Sequence, residues 1–177
     1  LPDGVPVANG SADTAAAAFG LGLIYGQDAF ESVGTSGVLS FVLDEPLFDP
    51  VFLNRRHVLG DRWLAHGAMS MSGGSIDWAR RNVWPELTDL TSFEELAQES
   101  VPGANGTIFL PYLSGERSPI WDPDANGAWL GLTSSTSRAD MARAVFEAGA
   151  YAMRQIMVRA KKRWNWAAEV LLGVGGG

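Results

Sequence analysis

The sequence predicts an α/β protein built on a mixed sheet flanked by helices, and three observations carry that expectation. Strand patterns and hairpin signals crowd the first part of the chain. Helical patterns are then inserted between later strand patterns. The last apolar run, residues 170–172, ends in a glycine cluster, and in open α/β sheets ligands bind at the C-terminal ends of strands. With 177 residues and 46% hydrophobic content the chain is long enough for one domain with a real core. No internal repeat or low-complexity linker divides it.

Residues 5–8 read as a short strand and residues 14–23 as an alanine-rich helix. Asp13 stands at the turn between them. A carboxylate there caps a helix and sits well in the positive end of its dipole. Gly10, Ser11 and Ala12 are small, so a ligand could also approach the backbone and reach Asp13. Residues 29–33 alternate as a strand and 38–43 form a second, with Gly34-Thr35-Ser36-Gly37 between them as a tight hairpin turn. Such a turn is either plain or a cradle that offers amides and two hydroxyls to one anion.

Residues 44–54, with Pro46 and Pro50, read as surface loop, and a second hairpin pairs 57–59 with 63–68 around Gly60-Asp61-Arg62. His57 and His66 fall on its strands without metal-spaced partners and read as structural. The glycines and serines of residues 70–75 lead into a helix at 76–82 with Trp78 on its apolar side. Such a start either binds phosphate or lets two elements pack closely. A shorter helix near 92–99 exposes Glu94, Glu95 and Glu99.

Residues 107–110 read as a buried strand. The loop that follows, 111–126, carries three prolines, Tyr112 and Trp121 as anchors, and Glu116-Arg117 at its centre. Arg117 pairs with Glu116 or with a neighbour, and loops of this length are often functional. A strand at 127–132 precedes the longest helix, 138–163. Ser137 and Asp140 form its capping box, and Met141, Val145, Ala148, Ala152 and Ile156 its apolar stripe. Arg159, Lys161, Lys162 and Arg163 at its end complement the helix dipole.

The net charge of −7 excludes a nucleic-acid binder of the usual basic kind. Lysine occurs only at 161 and 162, which excludes the P-loop and the protein-kinase lysine. The longest uncharged apolar run, residues 15–26, is shorter than the roughly 20 residues a bilayer requires, so no membrane segment is expected. The absence of cysteine fits a cytoplasmic protein. The chain begins Leu-Pro-Asp and ends in glycines, so both ends are expected to be internal to a longer protein.

Four stretches in order resemble one family. GAWLGLTSSTSRADMARAVFE, residues 127–147, is similar to the C-terminal signature of the FGGY carbohydrate kinases, and GSAD, GTSG and the terminal glycine run accompany it. Within the family the PYLSGERSP loop and the HVLGDRWLAHGAMS hairpin are most like the xylulokinases, with gluconokinases sharing the first. The resemblance implies a ribonuclease-H-like, actin-like ATPase fold. The chain would be the C-terminal, nucleotide-binding domain over residues 1–177, with the N-terminal sugar-binding domain and the last helices absent. It implies ATP and Mg²⁺ as cofactors and a ketopentose such as D-xylulose, or gluconate or another polyol, as acceptor. A homodimer is compatible with it.

Carried over by position, Asp13 falls on the catalytic base that also touches the sugar. Gly34, Thr35 and Ser36 fall on the phosphate turn, Gly73 and Asp77 on nucleotide contacts, and Gly175, Gly176 and Gly177 on the adenosine-side glycines. Asp77 replaces an amide, and the Gly10-Ser11-Ala12 turn is poorer in glycine than is usual in the family. A non-catalytic actin-like nucleotide-binding module remains the alternative of a different class, because fold alone does not give function.

Overall fold

The apolar stripe of the longest helix sets the architecture, because one helix face has to be covered over its whole length. The computed structural model describes residues 3–6, 9–168 and 170–175. In it, helix α4 spans Arg138–Trp164 and starts as the sequence predicts: the Asp140 amide donates to Ser137 Oγ at 3.1 Å and the Ser137 amide to Asp140 Oδ2 at 2.9 Å. Its C-terminal half lies on a five-stranded sheet. Strands β1 (Ala29–Val33), β2 (Gly37–Leu43), β3 (Leu53–Arg56), β4 (Trp63–Met69) and β7 (Leu171–Gly175) are arranged in the order β3-β4-β2-β1-β7. All neighbours are antiparallel except β1 and β7, which makes the sheet mixed.

Period-two alternation divides the sheet into two faces. Leu39, Phe41, Ala65 and Met69 point to α4, where Ala152, Met153, Ile156 and Trp166 close the main core. Phe30, Val42 and Leu64 point the other way, under Ala15 and Ala18 of helix α1 (Asp13–Gly20). The N-terminal half of α4 packs on helices α2 (Gly73–Val83) and α3 (Leu90–Gln98) and on a small hairpin of β5 (Ile108–Leu110) and β6 (Ala128–Leu130). Trp84 and Phe93, both fully buried, centre that second core. Asp140 is the pin of this half: beyond the capping box it accepts from Ser100 Oγ and from Asn105 Nδ2, and these hydrogen bonds hold its pKa well below the usual carboxylate range.

Several sequence expectations are corrected. Val5 and Pro6 are not in a strand, and Val7 and Ala8 lie outside the described residues. Helix α1 stops at Gly20, because the chain turns through Gly22 at φ +74°. Residues 44–54 are not all surface loop: Asp49, Val51 and Phe52 are buried. Asp49 is the cause, since its carboxylate takes ion pairs from Arg159 at 2.9 Å and Arg163 at 3.2 Å. The basic end of α4 therefore does more than complement a dipole.

The second hairpin is paired earlier than expected. Leu53–Arg56 is its first strand, and His57 leaves the sheet to bond Leu23 O through Nε2 at 3.1 Å and to accept the Leu59 amide on Nδ1 at 3.0 Å. Trp121 is half exposed and does not anchor its loop. The last strand is not buried but an edge, alternately exposed, and it contains Gly173 and Gly175 rather than preceding them.

His66 is structural, as the sequence suggests, but with a measurable consequence. Its Nδ1 and Ser40 Oγ are hydrogen-bonded at 2.7 Å between β4 and β2. Burial first, and the Arg55 charge second, lower its pKa to about 4, against an opposing pull from Asp13. The unfolded chain, with an ordinary imidazole, then binds more protons than the folded one between about pH 6.5 and pH 4. This contribution to stability is complete above pH 6.5 and is lost as pH falls through that window, by up to about 3 kcal/mol. Denaturant melts at stepped pH should show a shallower acid slope for His66→Gln than for the wild type; equal slopes would exclude His66 as the titrating group.

Candidate functional site

The hairpin turn and the start of α2 are locked together at one end of the sheet. The first amides of a helix have no partner inside it. Here Ser72 N donates to Thr35 O at 2.9 Å, Gly73 N to Gly34 O at 2.9 Å and Gly74 N to Thr35 O at 3.0 Å. Gly73 is required by contact: a Cβ there would lie 2.6 Å from Gly34 O. The helix start is therefore closely packed on the turn, and the Gly73 amide is engaged by Gly34 O.

With its carbonyls held from behind, the turn presents its other groups outward. Gly34 N bonds Ser36 O at 2.9 Å, which tightens the loop. The amides and hydroxyls of Thr35 and Ser36 donate to no protein acceptor among the described residues, and Gly34 and Thr35 are exposed. This is the composition of an anion cradle.

Gly175 joins it from the next strand. β7 runs parallel to β1 with Gly175 level with Val33, and at φ +115° its absent Cβ would lie 2.2 Å from Val33 O. Gly34, Thr35, Ser36, Gly73 and Gly175 therefore meet at the C-terminal ends of β1 and β7, the end where open α/β sheets bind ligands. Gly176 and Gly177 lie outside the described residues. Asp77, one turn into α2, is half exposed and ion-paired to Arg80 at 3.2 Å and Arg81 at 2.9 Å.

Asp13 differs from its simple reading as a cap. Ala12 is the N-cap, and Asp13 is the first helical residue, exposed, with Oδ1 accepting from Thr14 N at 2.7 Å. Its charge reaches the His66 ring, but it forms no hydrogen bond to the turn. Among the described residues no group of three or more His, Asp and Glu side chains is placed to hold a metal ion.

The loop centre is the least legible part. Glu116 is 3% exposed and its Oε1 accepts two amides, Ser70 N and Arg117 N, each at 2.7 Å. Burial pushes its pKa up, and those hydrogen bonds oppose the shift. Ser118 donates its amide to Ala68 O at 3.1 Å and accepts the Ala68 amide on Oγ at 3.1 Å, so the loop is fastened along the edge of β4. Arg117 is exposed and donates to Met69 O at 3.2 Å. The sequence signal for this was only the pairing of a charged dipeptide with a long proline-rich loop.

Residues 29–177 match the model for the FGGY family of carbohydrate kinases, C-terminal domain. The chain belongs to that family. FGGY relatives of known name include the xylulose kinase of Staphylococcus epidermidis, 33% identical over 100% of this chain and 36% of that protein. The Escherichia coli xylulose kinase is 38% identical over 84% of this chain and 31% of that protein. Among solved FGGY structures, xylulose kinase from Rhodospirillum rubrum superposes with a TM-score of 0.87 at 28% identity, covering 100% of this chain and 36% of that one. The fold is accordingly that of the actin-like ATPases. The chain spans about a third of the length of the curated relatives it matches.

The locked turn predicts an asymmetric response to two small substitutions. Gly73→Ala forces backbone apart at a 2.6 Å contact and should cost about 1–3 kcal/mol. Gly60→Ala, with nothing within 4 Å of the new methyl, should stay within about 0.5 kcal/mol of the wild type. Urea melts of both variants check it; equal stabilities would mean that the turn and α2 are not held in this contact.

Proposed function

We propose that this chain is the nucleotide-binding part of an ATP-dependent sugar kinase that transfers the γ-phosphate to a hydroxyl of a ketopentose, D-xylulose. The observation that carries the reading is the meeting of Gly34-Thr35-Ser36, Gly73 and Gly175 at one end of the sheet, with the turn's free amides facing out. The xylulose kinase relatives support the choice of sugar. The activity belongs to the whole protein, of which a first domain would supply most of the sugar contacts. The reading places the reaction in the cytoplasm, where ATP is made available.

Phosphoryl transfer requires in-line positioning and stabilisation of charge more than covalent help. Thr35 and Ser36 would hold the phosphates through amides and hydroxyls, and Gly73 and Gly175 keep side chains out of the backbone contacts that fix the turn. Mg²⁺, carried on the phosphates, would neutralise part of their charge. Asp13, exposed at the start of α1, would orient the sugar hydroxyl and accept its proton. Among the described residues its carboxylate accepts a hydrogen bond only from Thr14 N, on Oδ1, and Oδ2 would make that contact.

Three measurements test the proposal. In the full-length protein, Asp13→Ala should lower kcat by about 10²–10⁴ and leave ATP affinity nearly unchanged; a near-normal kcat removes Asp13 from the mechanism. The 177 residues alone should release no ADP in response to D-xylulose in a coupled assay, because alignment of the acceptor supplies much of the roughly 7–11 kcal/mol available from holding reactants together. Sugar-dependent turnover by the isolated chain would place the whole site within it. A panel of D-xylulose, gluconate and glycerol on the full-length protein selects the acceptor.

A further inference from the structure

We propose that Arg117 is the cation that meets the anionic end of the ligand held at the Gly34–Ser36 turn. The assignment rests on the nucleotide reading above and extends it to a residue outside the glycine segments. The argument is one of direction. In a strand, successive backbone groups point to opposite edges. Ala68 exchanges both its amide and its carbonyl with Ser118, on the edge of β4 away from β2. The next carbonyl, Met69 O, therefore points to the β2 edge, where Met69 is level with Gly37 at the end of the turn.

Arg117 donates to that carbonyl at 3.2 Å, so its side chain crosses the end of β4 and delivers the guanidinium to the side that carries the turn. Two amides fix the crossing from below. Glu116 Oε1 takes the Arg117 amide and the Ser70 amide together, which ties the arginine's backbone to the segment leading into Ser72-Gly73-Gly74.

The guanidinium has donors to spare. A guanidinium carries five N–H groups, and one donates to Met69 O. Arg117 has no carboxylate within ion-pair distance among the described residues, whereas Arg62, Arg80, Arg81, Arg138, Arg143, Arg159 and Arg163 each have one. The neighbouring Glu116 is turned inward: Oε1 is occupied by two amides, Oε2 is buried without a hydrogen-bond partner among the described residues, and the carboxylate forms no ion pair with Arg117. A planar fork with free donors beside outward-facing amides matches the geometry of phosphate oxygens.

The test is calorimetry on the full-length protein with ATP, ADP, AMP and adenosine, Mg²⁺ present throughout, comparing wild type with Arg117→Ala and Arg117→Lys. The expected result is a loss of about tenfold or more in ATP affinity for Arg117→Ala, partial recovery in Arg117→Lys, unchanged adenosine affinity and an unchanged melting curve. Equal losses for ATP and adenosine, or a lowered melting point with ATP affinity intact, would make Arg117 only a loop anchor and overturn the assignment. A rise confined to the KM for the sugar would place it on the acceptor instead and overturn it equally. A wild type that binds none of the nucleotides overturns the nucleotide reading itself, and this assignment with it.

Discussion

Three hydrogen bonds from the start of α2 to the carbonyls of Gly34 and Thr35 are the constraint on which the candidate site depends. They solve two problems at once. A buried helix start has amides that no helical carbonyl can accept, and a tight turn has carbonyls left over from its strands. Joining them satisfies both and leaves the turn's other face with unpaired donors. A turn face with unpaired donors is thus a by-product of how the helix start is satisfied, and the positive end of the α2 dipole stands behind it.

That contact is held in place from a distance. The turn closes β1 on β2, β2 carries the core residues Leu39 and Phe41, and these pack against the C-terminal half of α4. The other half of α4 covers α2. One helix therefore spans both elements of the site, and its two ends are tied separately: Asp140 binds the first turn to Ser100 and Asn105, and Asp49 receives Arg159 and Arg163 near the last. Removing either carboxylate loosens an element far from the turn yet mechanically connected to it.

The regular parts of this fold were legible because they repeat a period. β1 falls on the residues whose alternation predicts it, and the α4 stripe and capping box follow from local spacing alone. The misplacements occur where a distant partner decides. Nothing near Asp49 in sequence announces that two arginines 110 or more residues later will bury it, so its segment reads as surface loop. His57 breaks its strand for the sake of Leu23 O, and Glu116 turns inward for Ser70 N. The site residues named from the family resemblance meet at the sheet end for Gly34, Thr35, Ser36, Gly73 and Gly175, whereas Asp77 faces its own arginines.

Charge is the remaining physical question for such a site. A chain with net charge −7 repels polyphosphates at long range, and its only two lysines sit at the far end of α4. Among the described residues, seven of the arginines are committed to carboxylates. What this chain itself offers an anion is then short-range: oriented amides, hydroxyls, and cations with no ion-pair partner among the described residues. Short-range donors have an advantage for phosphoryl transfer. They act only on a ligand already in register, so they favour the aligned geometry over the merely bound one, and alignment is the larger part of the barrier that a protein can remove. A site without a lysine can therefore be selective for geometry where a diffuse basic patch would reward any anion that approached it.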